Sequence, residues 1–192
     1  MDLNPLLDMG LFSAIMRGEA ERAFEIMNDY NVPVEYRMGG KTLLMVAAQN
    51  DSVGIMRGLL ERGADPNARG SDGETAIMLA AKYSTVAALA LLLGAGADVR
   101  ARDYRGNTAL FFAAEGGSVE NTKFLVDSGV DPSITNNSGE SAMSIAASRK
   151  AVDVVDALTP GVFTNALRKD GGNIFNIDQK RKKTDAGKNR AL

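Results

Sequence analysis

The chain has 192 residues, 45% hydrophobic and 24% charged, the composition of a folded globular protein rather than a disordered or membrane-spanning one. It contains neither cysteine nor histidine, which excludes a disulfide framework, thiolate chemistry, a Ser-His-Asp triad, a Cys-His pair and an ordinary zinc site. The net charge of −2 hides an asymmetry: residues 168–192 carry eight Lys/Arg and three Asp, a net +5, so residues 1–167 stand at −7 and make a poor nucleic-acid binder.

Gly40, Gly73, Gly106 and Gly139 fall 33 residues apart, and Thr42, Thr75, Thr108 and Ser141 each follow two positions later. The pairs Ala47-Ala48, Ala80-Ala81, Ala113-Ala114 and Ala146-Ala147 come in the same register, and Gly63, Gly96 and Gly129 close three of the units. A fixed period of this length predicts one supersecondary unit stacked on copies of itself, burying its apolar surface between neighbours.

Ahead of the first clear unit, Ala14-Ile15 and Ile26-Met27 stand one period before Ala47-Ala48 and Leu59-Leu60, and YNVPVEYRMGG aligns with GADPNARGSDG. The unit from Gly40 to Asp72 then predicts two helices. Thr42 is placed to cap the first, with Leu44, Ala47 and Ala48 on one face. The second spans about Ser52–Arg62, with Val53, Met56, Leu59 and Leu60 as its buried stripe and Gly63 supplying the left-handed residue that ends it. The unit from Gly73 to Arg105 repeats this pattern. In the unit from Gly106 to Ser138, Asn121 and Thr122 stand where the second helix should carry apolar residues, which favours a weakened or shifted helix over a functional polar group. The last unit opens as GESAMSIAA and ends near Thr159-Pro160.

Recurring Asp65, Asp98 and Asp131 are spaced by the repeat itself, so they cannot converge on one catalytic site and are expected to support the connections. GADPNARGSDG lacks the Lys-Ser/Thr ending and the preceding strand of a phosphate loop.

These strings resemble ankyrin repeats. The family framework G-x-T-P-L-H-x-A-A stands here as GKTLLMVAA, GETAIMLAA, GNTALFFAA and GESAMSIAA, and its G-A-D-x-N-A stands as GADPNA, GADVRA and GVDPSI. The resemblance implies an all-α ankyrin-repeat solenoid of stacked helix-turn-helix units with hairpin-like connecting loops. Five units are expected, at about 7–39, 40–72, 73–105, 106–138 and 139–160, the first and last acting as end caps. The family's Pro is replaced by Leu43, Ala76, Ala109 and Ala142. Its His is replaced by Met45, Met78, Phe111 and Ser144, so the usual Thr–His hydrogen bond is expected to be missing, at a modest cost in stability and with a more apolar groove floor.

The resemblance also implies a non-catalytic module that binds one protein partner through a concave face built from hairpin tips and inner helices. Carried over by position, that face comprises Tyr36 and Met38, Arg69, Lys82 and Tyr83, Arg102, Tyr104 and Arg105, Phe111 and Glu115, with Phe112 on the buried side. Three of the four tyrosines fall there, and Tyr and Arg are the residue types that most often anchor interfaces. Arg69, Arg102, Arg105 and Lys82 favour an acidic or carboxylate-bearing partner surface, diluted by Asp72, Glu74, Asp103 and Glu115. No cofactor, metal or small-molecule substrate is expected, an unbound monomer is, and nucleic acid is an unfavoured partner. With no effector domain visible, occlusion of an enzyme as its inhibitor or regulator, of the self-protection type, is the most concrete version. An adaptor whose tail recruits a second molecule is the alternative.

After Pro160 the pattern stops. Phe163, Leu167, Ile174, Phe175 and Ile177 are expected to cap the apolar end of the array, and the remainder from about Asp178 is expected to be flexible and basic. QKRKK, residues 179–183, reads as a solvated charge run in preference to a nuclear-import or polyanion patch. The start, MDLNPLLDMG, shows no signal peptide, and this favours a cytoplasmic location over a periplasmic or secreted one.

Overall fold

Helices come in pairs along the chain. The computed structural model describes residues 5–159, with side chains from Leu7; the expected capping segment and basic tail lie outside the described residues. The pairs are α1 (Pro5–Met16) and α2 (Ala20–Asp29), α3 (Leu43–Gln49) and α4 (Val53–Glu61), α5 (Ala76–Tyr83) and α6 (Val86–Gly94), α7 (Ala109–Gly116) and α8 (Val119–Asp127), and α9 (Ala142–Ser148) and α10 (Val152–Leu158). First helices pack on first helices, α1 through α9, and second helices on second helices, α2 through α10, giving a two-layered all-α stack. Between pairs the chain makes hairpin-like excursions. The first carries two short antiparallel strands, β1 (Arg37–Met38) and β2 (Lys41–Thr42), and the last a single bridge from Thr135 to Ser141. No described helix is long and apolar enough to cross a membrane.

The alanine pairs set the spacing of the inner row. Ala47, Ala48, Ala80, Ala81, Ala113 and Ala114 are fully buried between neighbouring helices. Just beyond them the approach is closer still: a Cβ at Gly116 would fall against the backbone of Lys82, so α7 meets α5 there with no room for a side chain. Around this row Leu43, Leu44, Met45, Ile77 and Met78 are buried completely. Each contributes on the order of 1.5–3 kcal/mol when fully removed from water. Met45 and Met78 therefore belong to the core and do not make the groove floor more apolar, as their place in the repeat had suggested.

Several local expectations need correction. On α4 the inward stripe is Ile55, Met56, Gly58 and Leu59, while Val53 and Leu60 are half-buried. Gly58 is inside because the ring of Phe24 on α2 lies where its Cβ would be, and the Arg62 guanidinium covers that ring at 3.9 Å. The hydroxyl caps are unequal as well. Thr42 accepts from the Met45 N–H, and Ser141 with Ser144 forms a reciprocal capping box, so Ser144 restores local side-chain bonding where the histidine is missing. Thr75 and Thr108 make no such cap, and the buried Thr75 hydroxyl has no hydrogen-bond partner.

Asn121 and Thr122 neither weaken nor shift α8, which runs unbroken for nine residues. Asn121 is buried, and its amide donates to the carbonyls of Ala81 at 3.1 Å and Ser84 at 2.7 Å, at the end of α5 in the unit before. A helix end leaves carbonyls without intrahelical partners, and this side chain supplies them. Thr122 returns its hydroxyl to the Ser118 carbonyl at 2.7 Å. Ser52 bridges units in the same way two steps earlier, donating to the Ile15 carbonyl at 2.9 Å.

Candidate functional site

The hairpin excursions line up along one side of the stack, and three arginines stitch them together. Arg69 donates from Nη1 to the Gly73 carbonyl of its own excursion at 3.1 Å and to the Arg102 carbonyl of the next at 2.8 Å. Arg102 repeats this with the Gly106 carbonyl at 3.0 Å and the Thr135 carbonyl. At the start of the row the register slips by one: Tyr36 stands 33 residues before Arg69, and Arg37 performs the task, donating to Gly40 at 3.1 Å and to the Arg69 carbonyl at 2.8 Å. Charge-assisted bonds to carbonyls 32 or 33 residues away link the first four units in series. Arg69 and Arg102 were expected to anchor a partner; both spend hydrogen-bonding capacity on this backbone ladder, and Arg37 carried no signal because its register is offset.

Each excursion is also held from within. Asp103 accepts from the N–H groups of Arg105 and Asn107 at 2.9 and 2.7 Å and from the Asn107 amide at 2.9 Å. Asn136, one period later, does the same for Ser138 and Glu140. One period earlier stands Gly70, and there the carboxylate of Glu74 fills the space beside the glycine and accepts from the Asp72 N–H at 2.9 Å. Glu74 and Asp103 are buried, so their charges are turned into the wall. Asp65, Asp98 and Asp131 each accept from the backbone two residues on, as expected of connection-forming residues. Hydrogen bonds from Ser133, first from its hydroxyl and then from its N–H, hold the Asp131 carboxyl below the ordinary aspartate value.

Between these excursions and the inner helices of the last three units lies an open groove of about 780 Å³. Five of the ten residues expected on the binding face line it: Lys82, Tyr104, Arg105, Phe111 and Glu115. The other five, Tyr36, Met38, Arg69, Tyr83 and Arg102, are not among its lining residues. Tyr36 donates its hydroxyl to Asp8 at 2.7 Å, and Met38 packs against the core. Tyr83 is 50% exposed at the end of α5, with the Lys82 ammonium 5.1 Å from its ring centre. Phe112, expected on the buried side, is half-buried and lines the groove beside Phe111.

The electrostatics of the groove centre on Glu115. Its carboxylate receives Lys82 at 2.9 Å and Arg149 at 3.4 Å, one anion shared by two cations from the neighbouring units. Burial alone would lower the Lys82 pKa, but the hydrogen bond to Glu115, with a smaller part from Tyr83, raises it above the ordinary lysine value. Arg105 is exposed at the opposite rim, and its side chain has no hydrogen-bond or ion-pair partner among the described residues. Arg149 escaped the sequence reading although it stands 66 residues after Tyr83, in a register already singled out. No group of three or more acidic side chains that could hold a metal ion occurs among the described residues.

The family model described as "Ankyrin repeats (3 copies)" matches residues 11–103 and again residues 77–170. A comparison with curated proteins found no match.

Proposed function

Since the chain belongs to the ankyrin-repeat family, we propose that it is a non-catalytic module gripping one protein partner through its concave face. The observation that carries this reading is the groove over the last three units, with Tyr104, 65% exposed, on its rim and Phe111 and Phe112 in its lining. An exposed tyrosine and an arginine beside half-buried phenylalanines are the residue types that interface hot spots favour. In its most concrete form the module inhibits or regulates an enzyme by covering it.

Affinity capture from the source cell tests the proposal, comparing wild type with a Tyr83→Ala/Tyr104→Ala/Arg105→Ala variant. A protein held by wild type and released by the variant identifies the partner and its face together. Equal capture by both forms removes the groove from consideration. If the captured protein is an enzyme, inhibition at saturation supports occlusion. Loss of function on deleting residues 178–192, with groove binding intact, supports the adaptor instead.

A further inference from the structure

The groove has an apolar bed and a particular distribution of charge. Phe111, Phe112 and Ile145 are half-buried along it, side chains with area left to cover. Two carboxylates of its wall, Glu74 and Asp103, are buried and already engaged by N–H donors of their own excursions, one at Glu74 and three at Asp103. Of the remaining lining acids, Asp72 and Glu140 sit exposed on the excursions. At the inner-helix end one carboxylate serves two cations, leaving a local excess of one positive charge with Arg149 half-exposed. On the excursion side of the lining, Arg105 is exposed and has no ion-pair partner among the described residues.

Resting on the concave-face reading above, we propose that this groove takes an extended peptide segment of the partner that carries a carboxylate beside a bulky apolar side chain. The apolar side chain lies on Phe111, Phe112 and Ile145, and the carboxylate engages Arg149 and Arg105. Glu115 is then a built-in competitor. At 3.4 Å its hold on Arg149 is looser than its 2.9 Å contact with Lys82, so a ligand carboxylate can take Arg149 while Lys82 stays with Glu115. Arginine presents a planar fork suited to a carboxylate in two-point contact, which an ammonium cannot match.

The competitor role yields an outcome that a merely structural Glu115 would not produce. Random dodecapeptides displayed on phage are panned against the full chain. Enriched sequences are remade as labelled synthetic peptides and titrated by fluorescence anisotropy against wild type, Glu115→Gln, Arg105→Ala/Arg149→Ala and the charge reversal Arg149→Glu. The expected peptides carry Asp or Glu within two residues of Phe, Tyr, Leu, Ile or Met. Their affinity falls by about tenfold or more in the double variant, as the loss of one or two desolvated ionic contacts requires. It rises severalfold in Glu115→Gln, and panning on Arg149→Glu moves the preference away from acidic sequences.

Peptides without acidic preference, weaker binding to Glu115→Gln, or failure to enrich any sequence over a blank surface overturns the proposal. Acid-free peptides that are lost on Tyr104→Ala overturn it while leaving the concave-face reading intact. Peptides indifferent to every groove substitution overturn both.

Discussion

The ring of Tyr104 occupies the space above Gly73: a Cβ on that glycine would stand 2.6 Å from the ring. The Tyr104 N–H also donates to the Asp72 carbonyl at 3.0 Å, so the tip of one excursion is laid over the turn of the one before. Ser71 covers Gly40 and Asn137 covers Gly106 in the same way. Gly73 has φ +79°, which a side chain would strain even without the ring. Gly73→Ala is expected to cost roughly 1–3 kcal/mol in urea unfolding. Tyr104→Ala removes a largely exposed ring and is expected to change stability by less than about 0.5 kcal/mol. It should nevertheless weaken partner binding by about 1–3 kcal/mol. A Tyr104→Ala protein that unfolds would sink the assignment of that ring to the binding face.

The helix pairs and their stacking were legible because glycine, hydroxyl and double alanine recur at one interval, and each has a local reason to be where it is. What escaped were side chains whose partners lie a whole unit away. A polar residue at 121 looks like a fault when judged against its own helix; its acceptors, Ala81 and Ser84, belong to another. Arg69 and Arg102 sit at tips that read as exposed, yet they bond to carbonyls 33 residues on. Pattern within one unit reports burial well and says little about such long links.

Asn121 supplies the clearest stability test. If the position were merely an apolar slot filled badly, Asn121→Leu would stabilise the protein. With the Ala81 carbonyl and the part-buried Ser84 carbonyl deprived of this donor, both Asn121→Leu and Asn121→Ala are expected to lose about 1–3 kcal/mol. Urea midpoints decide the matter: a gain with leucine would return Asn121 to the status of a tolerated defect.

Arg102→Lys separates the ladder from the interface. Lysine keeps the charge but has no fork able to reach the Gly106 and Thr135 carbonyls together. The substitution should cost about 1–3 kcal/mol and lower hydrogen-exchange protection first in the last two units, whose coupling to the third it loosens. Partner affinity should hold to within about twofold, a few tenths of a kcal/mol. Unchanged stability with a large loss of affinity would place Arg102 in contact with the partner.

Asp51 makes a pH-dependent link between the second and third units. Its carboxylate accepts from the Ser84 hydroxyl at 2.6 Å and from the N–H and hydroxyl of Thr85, both at 3.1 Å. Partial burial pulls its pKa upward, but the hydrogen bonds from Ser84 and then Thr85 outweigh it and hold the group below the ordinary value of 3.8. A carboxylate whose folded value is depressed stabilises the protein above its unfolded value and loses that contribution as pH falls through the folded one. Asp51→Asn keeps the left-handed backbone, φ +52°, that asparagine tolerates as well as aspartate, so it removes chiefly the charge. The variant should be less stable than wild type by a constant margin between about pH 5 and pH 7, because Asp51 is ionised in both states there. Below pH 3.8 the two unfolding midpoints should converge as wild type takes up its proton. A margin unchanged down to about pH 2 would mean that hydrogen-bond geometry, and not the charge, joins the two units at this point.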